Sequence, residues 1–289
     1  MLHEVFLFSG PYWNGFGYRD AAMKRLLLTI LLATACVVSQ AQELLAYRDS
    51  VSNGYPFLAF LPDSCATAPE PLPLVVFLHG GSICGTDLNQ VTRYGTIDAL
   101  RRGLELDAIV IAPQATTSWV PEKVMNVIDW ALDHFNADPD RVYLLGMSMG
   151  GYGTLNTIGT YPDRIAAGMA LCGGYNLKSV ENLTKVPLWI VHGTSDEKVH
   201  WSQSSNVVQS MLRTGKADRL LFDWLVGCNH SVLARPFYMP QTYEWLLSHS
   251  LKDHKRPATR GYSITQHMMD TAYDKLDPAK KKALPIRTP

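Results

Sequence analysis

Apolar residues along the chain follow two alternating patterns, which predict strands and helices in turn. Residues 74–78 and 108–112 are short uninterrupted apolar runs, typical of strands buried on both faces of a parallel sheet. Between residues 124 and 135 the apolar positions recur at intervals of three and four, as on one face of a helix. Further strands are predicted at 141–145, 165–171, 188–191 and 220–226, and further helices at 149–160, 201–212 and 240–249. This alternation predicts an α/β fold with a mostly parallel central sheet and helices on both faces.

The start of this pattern differs from the rest. Residues 43–61 predict two short strands around Asn53-Gly54, a dipeptide that supplies the positive φ of a tight hairpin turn. We therefore expect an antiparallel pair of strands to lead into the sheet.

Residues 23–41 have the three parts of a secretory signal peptide. A basic start at Lys24 is followed by an apolar run over 26–38 and by small residues just before Gln42. The run is shorter than the roughly 18 apolar residues that a membrane span needs. The sequence therefore predicts export, to the periplasm or beyond, with a lipoprotein anchored at Cys36 as the alternative and no stable membrane span.

These features divide the chain into four parts. Residues 1–22 precede a credible start at Met23 and are interpreted as an upstream extension. Residues 42–250 hold the alternating pattern and are predicted to form one α/β domain. Residues 251–289 contain nine basic and four acidic residues and one amphipathic stretch over 264–276. We expect this C-terminal extension to be solvated and packed loosely on the domain, rather than to act as a binding arm.

Composition and charge exclude several classes of function. The 289 residues include 26 Lys plus Arg and 26 Asp plus Glu, so the net charge is zero and the basic face of a nucleic-acid-binding protein is not expected. No cysteine lies in a cluster with the spacing of a structural zinc site, so no metal is predicted. Apart from Cys36, four cysteines remain, and three disulfide pairings stay open if all are bridged: Cys65, Cys84, Cys172 and Cys228.

The residues Gly146-Met147-Ser148-Met149-Gly150 fit the pattern Gly-x-Ser-x-Gly between a predicted strand and a predicted helix. In that motif the serine occupies a sharp, strained turn, and the glycines prevent a Cβ from clashing with neighbouring backbone. The strand before and the helix after are what the motif requires. Ser148 is therefore predicted to be a nucleophile exposed above the sheet.

A serine hydroxyl becomes a nucleophile when a nearby base takes its proton, and a third group must orient that base. Asp196 follows the strand at 188–191 and is the predicted acid; His230 follows the last strand and is the predicted base. The bases that compete with His230 are His192, His200, His249 and His254, and the acids that compete with Asp196 are Asp163, Asp218 and Asp223.

The tetrahedral intermediate of acyl transfer also needs hydrogen-bond donors for its oxyanion. One predicted donor is the N–H of Met149, directly after the nucleophile at the start of a helix. The other is the N–H of Gly81, in the glycine pair after His79, where the backbone can approach closely. His79 itself is interpreted as a structural residue.

These residues, together with Asp140-Arg141-Val142-Tyr143 and Pro187 to Gly193, resemble the α/β-hydrolase superfamily. Within it, residues 43–250 resemble secreted esterases and predicted peptidases related to prolyl oligopeptidase catalytic domains, feruloyl esterases and polyhydroxybutyrate depolymerases. The resemblance implies the α/β-hydrolase fold and acyl transfer through an acyl-enzyme, without a cofactor. Only two glycines follow His79, in contrast to the longer glycine run of some lipases.

The substrate is less constrained. Residues 173–185 are too few for a bulky lid, so we expect an open cleft that suits acyl groups on polymers. Trp119 and Trp201 are expected near the catalytic edge, where each either stacks on a sugar or aromatic acyl group or packs inside the fold. The resemblance favours a small-molecule or polysaccharide ester, as for a feruloyl or acetyl esterase. The alternatives are a serine peptidase of the prolyl oligopeptidase type and a catalytically inactive binding module.

Overall fold

The computed structural model describes residues 42–253, 255–257, 261–274, 276, 279 and 283–289. Their strands are β1 (Glu43–Tyr47), β2 (Phe57–Leu61), β3 (Leu72–Leu78), β4 (Ile109–Pro113), β5 (Ala137–Met147), β6 (Ala167–Leu171), β7 (Leu188–Gly193), β8 (Leu220–Leu225) and β9 (Ile286–Arg287). They form one sheet in the order β8-β7-β6-β5-β3-β4-β2-β1-β9. Strands β3 to β8 run parallel, whereas β2 is antiparallel to both of its neighbours.

The helices of the described residues are α1 (Thr96–Arg101), α2 (Pro121–His134), α3 (Met149–Thr160), α4 (Ser202–Arg213), α5 (Pro240–Leu247) and α6 (Gln266–Asp270). Two apolar cores lie on the opposite faces of the sheet. Along β3, Val75 and Phe77 belong to one core, and Leu74, Val76 and Leu78 belong to the other. This is why the strand is an uninterrupted apolar run, and it confirms the predicted α/β fold with a mostly parallel sheet.

The entry to the sheet is the predicted antiparallel pair, with Tyr47 opposite Phe57 and Glu43 opposite Leu61. The connection between the two strands is longer than the tight turn that the sequence predicts. It runs over residues 48–56 and contains a turn closed by the N–H of Gly54 and the carbonyl of Val51. Asn53 supplies the positive φ, at 49°.

The C-terminal extension differs from the expectation. Five of its apolar residues are buried in the core on one face of the sheet: Ile264, Met269, Ala272, Leu276 and Leu284. The amphipathic stretch forms only the short helix α6, and β9 adds a parallel strand beside β1. The expectation of loose packing was therefore wrong for these residues, because the burial of apolar side chains holds the segment on the domain.

Several predictions concern residues outside this description. The upstream extension at 1–22, the signal peptide at 23–41 with Cys36, and His254 all lie outside the described residues. The four remaining cysteines are described, and all four are free thiols. Within the described ranges, no helix has the length and apolar character required to cross a membrane.

Candidate active site

Ser148 occupies the turn between β5 and α3 in a backbone conformation that L residues rarely adopt. Its φ is 59° and its ψ is −122°, a strained combination for a residue with a Cβ. Two hydrogen bonds hold the turn: the N–H of Ser148 donates to the carbonyl of Leu171 at 2.8 Å, and its own carbonyl accepts from Tyr152 at 3.0 Å. The serine therefore stands at the carboxyl edge of the parallel strands.

The glycines of the motif are required by close backbone packing. A Cβ on Gly150 would overlap the carbonyl oxygen of Leu78, at the end of β3. A Cβ on Gly146 would overlap the backbone of Gly150. Helix α3 can begin so close to the sheet only because both positions lack a side chain.

Asp196 and His230 lie in the loops after β7 and β8 and are joined by a hydrogen bond. The Nδ1–H of His230 donates to Oδ2 of Asp196 at 2.7 Å. The other carboxylate oxygen accepts from the N–H groups of Lys198 at 2.8 Å and Val199 at 2.9 Å. His230 lines the same cavity as Ser148. The structure thus brings together the three residues that chain order predicts.

The charge state of Asp196 follows from these contacts. Burial on its own raises the pKa of the carboxyl group. The hydrogen bond from His230 and the N–H groups of Val199 and Lys198 outweigh burial, so the pKa of Asp196 lies below its usual value. The carboxylate is therefore ionised at neutral pH, and it keeps a proton on Nδ1 of His230, which leaves Nε2 free to accept one.

Two competing candidates make their closest hydrogen bonds with other groups, although Nε2 of His192 also lies 3.4 Å from Oδ2 of Asp196. His192 is buried, with Nδ1 2.7 Å from Oγ of Ser204 and Nε2 2.9 Å from the carbonyl of Val199. Asp223 accepts an indole N–H and a backbone N–H, at 2.8 and 2.9 Å. Both side chains stabilise loops or strand packing, so the pairing of Asp196 with His230 remains the better candidate.

The predicted oxyanion donors both stand at helix starts. Met149 is the first residue of α3, and Gly81 is the first residue of a 3-10 helix over 81–83. N–H groups at these positions have no acceptor within their own helix. Close approach to the nucleophile occurs at Gly80, where a Cβ would come within 3.4 Å of the Cβ of Ser148. A Cβ on Gly81 would meet nothing within 4 Å. Close packing therefore explains why residue 80 is a glycine, but it does not explain the glycine at residue 81.

A cavity of about 660 Å³ surrounds the nucleophile. Ser148 and His230 line it together with both glycines after His79. Its remaining wall comes from the residues around α1, from the 3-10 helix after His230, from the C-terminal extension through Tyr273, and from Ser82, Met147 and Lys198. The extension therefore contributes directly to the cavity.

Parts of this chain are similar to known proteins. The prolyl oligopeptidase family matches residues 114–184, which include Ser148. The bifunctional acetylxylan esterase/xylanase XynS20E of Neocallimastix patriciarum is 36% identical over 88 residues, 30% of this chain and 12% of that protein. Feruloyl esterase B of Thermothelomyces thermophilus is 28% identical over 168 residues, 50% of this chain and 52% of that protein. The chain thus spans about half or less of the length of these relatives.

A solved structure decides the fold. The crystal structure of a thermostable esterase superposes with a TM-score of 0.60 at 24% identity, covering 74% of this chain and 64% of that one. The chain has the α/β-hydrolase fold. The resemblance inferred from the motifs is therefore confirmed at the level of fold.

Tyr94 lies in the candidate site, and the sequence pattern did not indicate it. Its hydroxyl oxygen accepts the N–H of Gly80 at 2.7 Å, and the ring lines the cavity beside Ser148. Burial raises the pKa of the phenol, which therefore stays protonated at neutral pH. Tyr94 fixes the glycine loop at its closest approach to the nucleophile.

Replacing Tyr94 by phenylalanine should lower the turnover number of any hydrolysis at this candidate site about tenfold, because the loss of one hydrogen bond to a buried group corresponds to about 1–3 kcal/mol. The loop would lose its fixed position beside Ser148, so we expect a lower kcat with little change in KM. Steady-state kinetics of Tyr94→Phe would measure this. Tyr175→Phe removes a hydroxyl that donates to Ser179 outside the cavity, and it is the matched control. Equal kcat values for Tyr94→Phe and the wild type would contradict the role of Tyr94.

His79 is structural, as the sequence analysis suggested. Its Nδ1–H donates to the carbonyl of Gly80 at 2.8 Å, and its Nε2 accepts the N–H of Ala115 at 3.1 Å. The ring is fully buried, and burial lowers its pKa to about 4. Protonation would place an N–H against the N–H of Ala115. The neutral ring therefore joins the glycine loop to the end of β4.

This predicts a loss of stability in acid. Between pH 6.5 and about 4 the unfolded chain binds a proton at His79 that the folded chain does not bind, so stability falls as the pH falls. A single such histidine predicts a loss of about 2 kcal/mol between pH 7 and pH 5. Urea unfolding of the wild type and of His79→Gln at both pH values would measure it. The variant should show a smaller pH dependence, whereas the exposed His267→Gln should behave as the wild type. An unchanged pH dependence in His79→Gln would contradict the assignment.

The two tryptophans predicted to bind substrate have different surroundings. Trp119 is only 6% exposed, and its Nε1–H donates to the carbonyl of His79 at 3.0 Å. Its ring packs over Gly153 on α3, so the prediction of a stacking platform was wrong and the packing alternative is correct. Trp201 is partly exposed and packs against Trp224, outside the lining of the cavity. Its role in binding stays a prediction.

Cys172 lies close to Asp196 and His230. Its Sγ and the ligand atoms of Asp196 and His230 lie within 4.8 Å of one another. Burial, followed by the charge of Asp196, raises the pKa of the thiol well above its usual value. Cys172 is therefore neutral and adds no second negative charge beside Asp196.

Proposed function

We propose that this α/β-hydrolase is a serine hydrolase that cleaves carboxylic esters through an acyl-enzyme. The observation that carries the proposal is the hydrogen bond between Asp196 and His230, beside a cavity that His230 shares with Ser148 on its strained turn. A nucleophile, a base and a group that orients the base are the parts that this chemistry needs.

Each residue then has a defined role. Oγ of Ser148 attacks the ester carbonyl carbon while Nε2 of His230 takes the hydroxyl proton. The N–H groups of Met149 and Gly81 bind the oxyanion of the tetrahedral intermediate. Collapse of the intermediate breaks the bond to the leaving alcohol, which receives the proton from His230. Water, activated by His230, then hydrolyses the acyl-enzyme and restores Ser148.

The proposed substrates are acyl groups on polysaccharides. The names of the relatives support this choice, because they include an acetylxylan esterase and a feruloyl esterase. A cavity of about 660 Å³ is also large enough for a saccharide unit with its acyl group. We further propose that the protein is exported, on the sequence of residues 23–41 alone.

Covalent labelling tests the nucleophile. A fluorophosphonate forms an adduct with a serine whose hydroxyl is activated by a base. We expect one adduct, on the peptide that contains Ser148, when labelled protein is digested and analysed by mass spectrometry. Ser82 and Ser231 line the same cavity and serve as internal controls. An adduct on either of them in place of Ser148 would contradict the proposal.

A substrate panel tests the reaction. The panel consists of p-nitrophenyl acetate, methyl ferulate and a proline-containing peptide amide. We expect hydrolysis of both esters at rates well above that of the peptide. Cleavage of the peptide alone would favour a peptidase, in line with the family matched at residues 114–184. No hydrolysis and no adduct would favour a catalytically inactive module.

A further inference from the structure

The charges that line the cavity are unequal in sign. Of the described residues in the lining, Arg93, Arg102 and Lys198 are cationic, and Asp98 is anionic. Asp196 lies behind His230 and does not line the cavity. The space around the nucleophile is therefore positive on balance, although the whole chain carries no net charge.

Asp98 cannot neutralise all three cations, because its carboxylate is already engaged. Its Oδ2 accepts from Nε of Arg102 at 2.6 Å and from the hydroxyl of Tyr238 at 2.7 Å. The ring of Tyr238 packs on Tyr273, with 4.8 Å between the ring centroids. Asp98 and Arg102 thus neutralise each other and fix an aromatic wall of the cavity.

Among the described residues, the other two cations have no such partner. Within the described part of the chain, no carboxylate oxygen lies within 4.0 Å of Arg93 or Lys198. The hydrogen bonds of the Arg93 guanidinium to described residues go to neutral oxygens of Ser82 and Gln90, each at 3.4 Å. Lys198 is carried on the acid loop, because its N–H donates to Asp196. Arg93 is next in sequence to Tyr94, which holds Gly80. The two cations therefore come from two different loops of the candidate site: Arg93 from the loop that holds Gly80, and Lys198 from the loop that carries Asp196.

We propose that the ester substrate carries a carboxylate, and that Arg93 and Lys198 bind it at the rim of the cavity. This inference rests on the proposed function. A cleft that carries charges of one sign concentrates substrates of the opposite sign, and it does so more strongly than an open surface. The carboxylate belongs either to the alcohol part, as in an acetylated uronic acid residue, or to the acyl part, as in the half-ester of a dicarboxylic acid. The aromatic wall formed by Tyr238 and Tyr273 gives either part a flat surface to pack against.

Matched pairs of esters test the proposal and distinguish these two sources. The first pair is a mono-O-acetylated methyl galacturonoside and the corresponding galactoside, which differ in a carboxylate on the alcohol part. The second pair is p-nitrophenyl adipate and its methyl ester, which differ in a carboxylate on the acyl part. The ratio of kcat/KM for the anionic ester to that for the neutral ester is the readout, after spontaneous hydrolysis is subtracted. We expect a ratio of about ten in at least one pair at low salt, falling towards one in about 1 M salt, where the Debye length is about 3 Å.

Variants that remove one positive charge test whether Arg93 and Lys198 cause the preference for anionic esters. Arg93→Gln and Lys198→Gln should each lower the ratio about 2- to 5-fold, as expected for a partly exposed ion pair. Lys216→Gln removes an exposed lysine that pairs with Glu181 in a separate cavity, and its ratio should equal that of the wild type. Because the readout is a ratio measured on one preparation, a partly inactive variant does not distort it.

Two results would overturn the inference while the proposed function stands. One is a wild-type ratio of one or less in both pairs. The other is a ratio that neither Arg93→Gln nor Lys198→Gln lowers. If none of the four esters is hydrolysed and no phosphonate adduct forms on Ser148, the proposed function fails and this inference fails with it.

Discussion

Replacing Ser148 by alanine is expected to reduce ester hydrolysis by about 10⁵- to 10⁶-fold, the loss typical of removing the nucleophile of a serine hydrolase. The physical reason is that, among the described residues that line the cavity, no other hydroxyl lies on a strained strand-to-helix turn. The measurement is the kcat of purified Ser148→Ala with p-nitrophenyl acetate. Ser202→Ala, at the start of α4 and outside the cavity, is the matched control and should retain wild-type turnover. A loss of less than about 100-fold in Ser148→Ala would show that another group attacks the ester.

The backbone strain at Ser148 is also expected to lower the free energy of unfolding, so the position that supplies the nucleophile makes the fold less stable. Ser148 has a φ of 59° and a ψ of −122°, which glycine adopts without strain and alanine does not. Ser148→Gly is therefore expected to have a free energy of unfolding about 1 kcal/mol higher than Ser148→Ala. Urea unfolding of both inactive variants would measure the difference. A less stable glycine variant would show that the turn is not strained.

Most strands of the sheet could be predicted from the sequence, because strands buried on both faces of a parallel sheet consist of uninterrupted apolar residues. Strand β3 and helix α3 lie where the pattern placed them, with α3 at Met149–Thr160. Helix α1 was not predicted, because its six residues span too few turns to establish a helical period. Strand β9 was not predicted either, because two residues carry no pattern and their pairing with β1 depends on the fold.

The residues of the candidate site could be located from the sequence, because chain order and strand ends restrict where they lie. Asp196 and His230 each follow a strand of a parallel sheet, so their loops meet at the same edge. Tyr94 carries no comparable signal: it lies in a segment without regular periodicity, and its contact with Gly80 bridges 14 positions of the chain. Arg93 and Lys198 likewise look like ordinary surface charges until the fold places them around one cavity.

The C-terminal extension shows why composition alone misjudged a segment. Its excess of basic residues suggested a solvated tail. Its apolar residues are few, but Met269 and Ala272 fall on the buried side of α6 and of the turn that follows. Tyr273 comes next in sequence and is 44% exposed, so the same packing that buries its neighbours presents this ring to the cavity. The buried residues that hold this segment on the domain therefore also place Tyr273 in the wall of the cavity.

The second large effect is expected for Asp196→Asn, with a loss of about 10⁴-fold in kcat and little change in KM. An asparagine has nearly the shape of the aspartate, and its carbonyl oxygen can still accept the N–H groups of Lys198 and Val199. Its NH₂ group then faces Nδ1 of His230 and must donate to it. The imidazole would change tautomer and carry its proton on Nε2, so it could no longer take the proton of Ser148.

Asp223→Asn is the matched control for this change, because Asp223 is also a partly buried carboxylate that accepts hydrogen bonds, but it lies inside strand β8 and away from the cavity lining. It binds Trp189 and the backbone of Ile264, so its replacement should affect stability and leave ester turnover near the wild-type value. Far-ultraviolet circular dichroism and urea unfolding of both variants would establish that each is folded. If Asp196→Asn kept more than about a tenth of wild-type kcat, the tautomer of His230 would not depend on Asp196, and the order of nucleophile, acid and base along the chain would have to be reassigned.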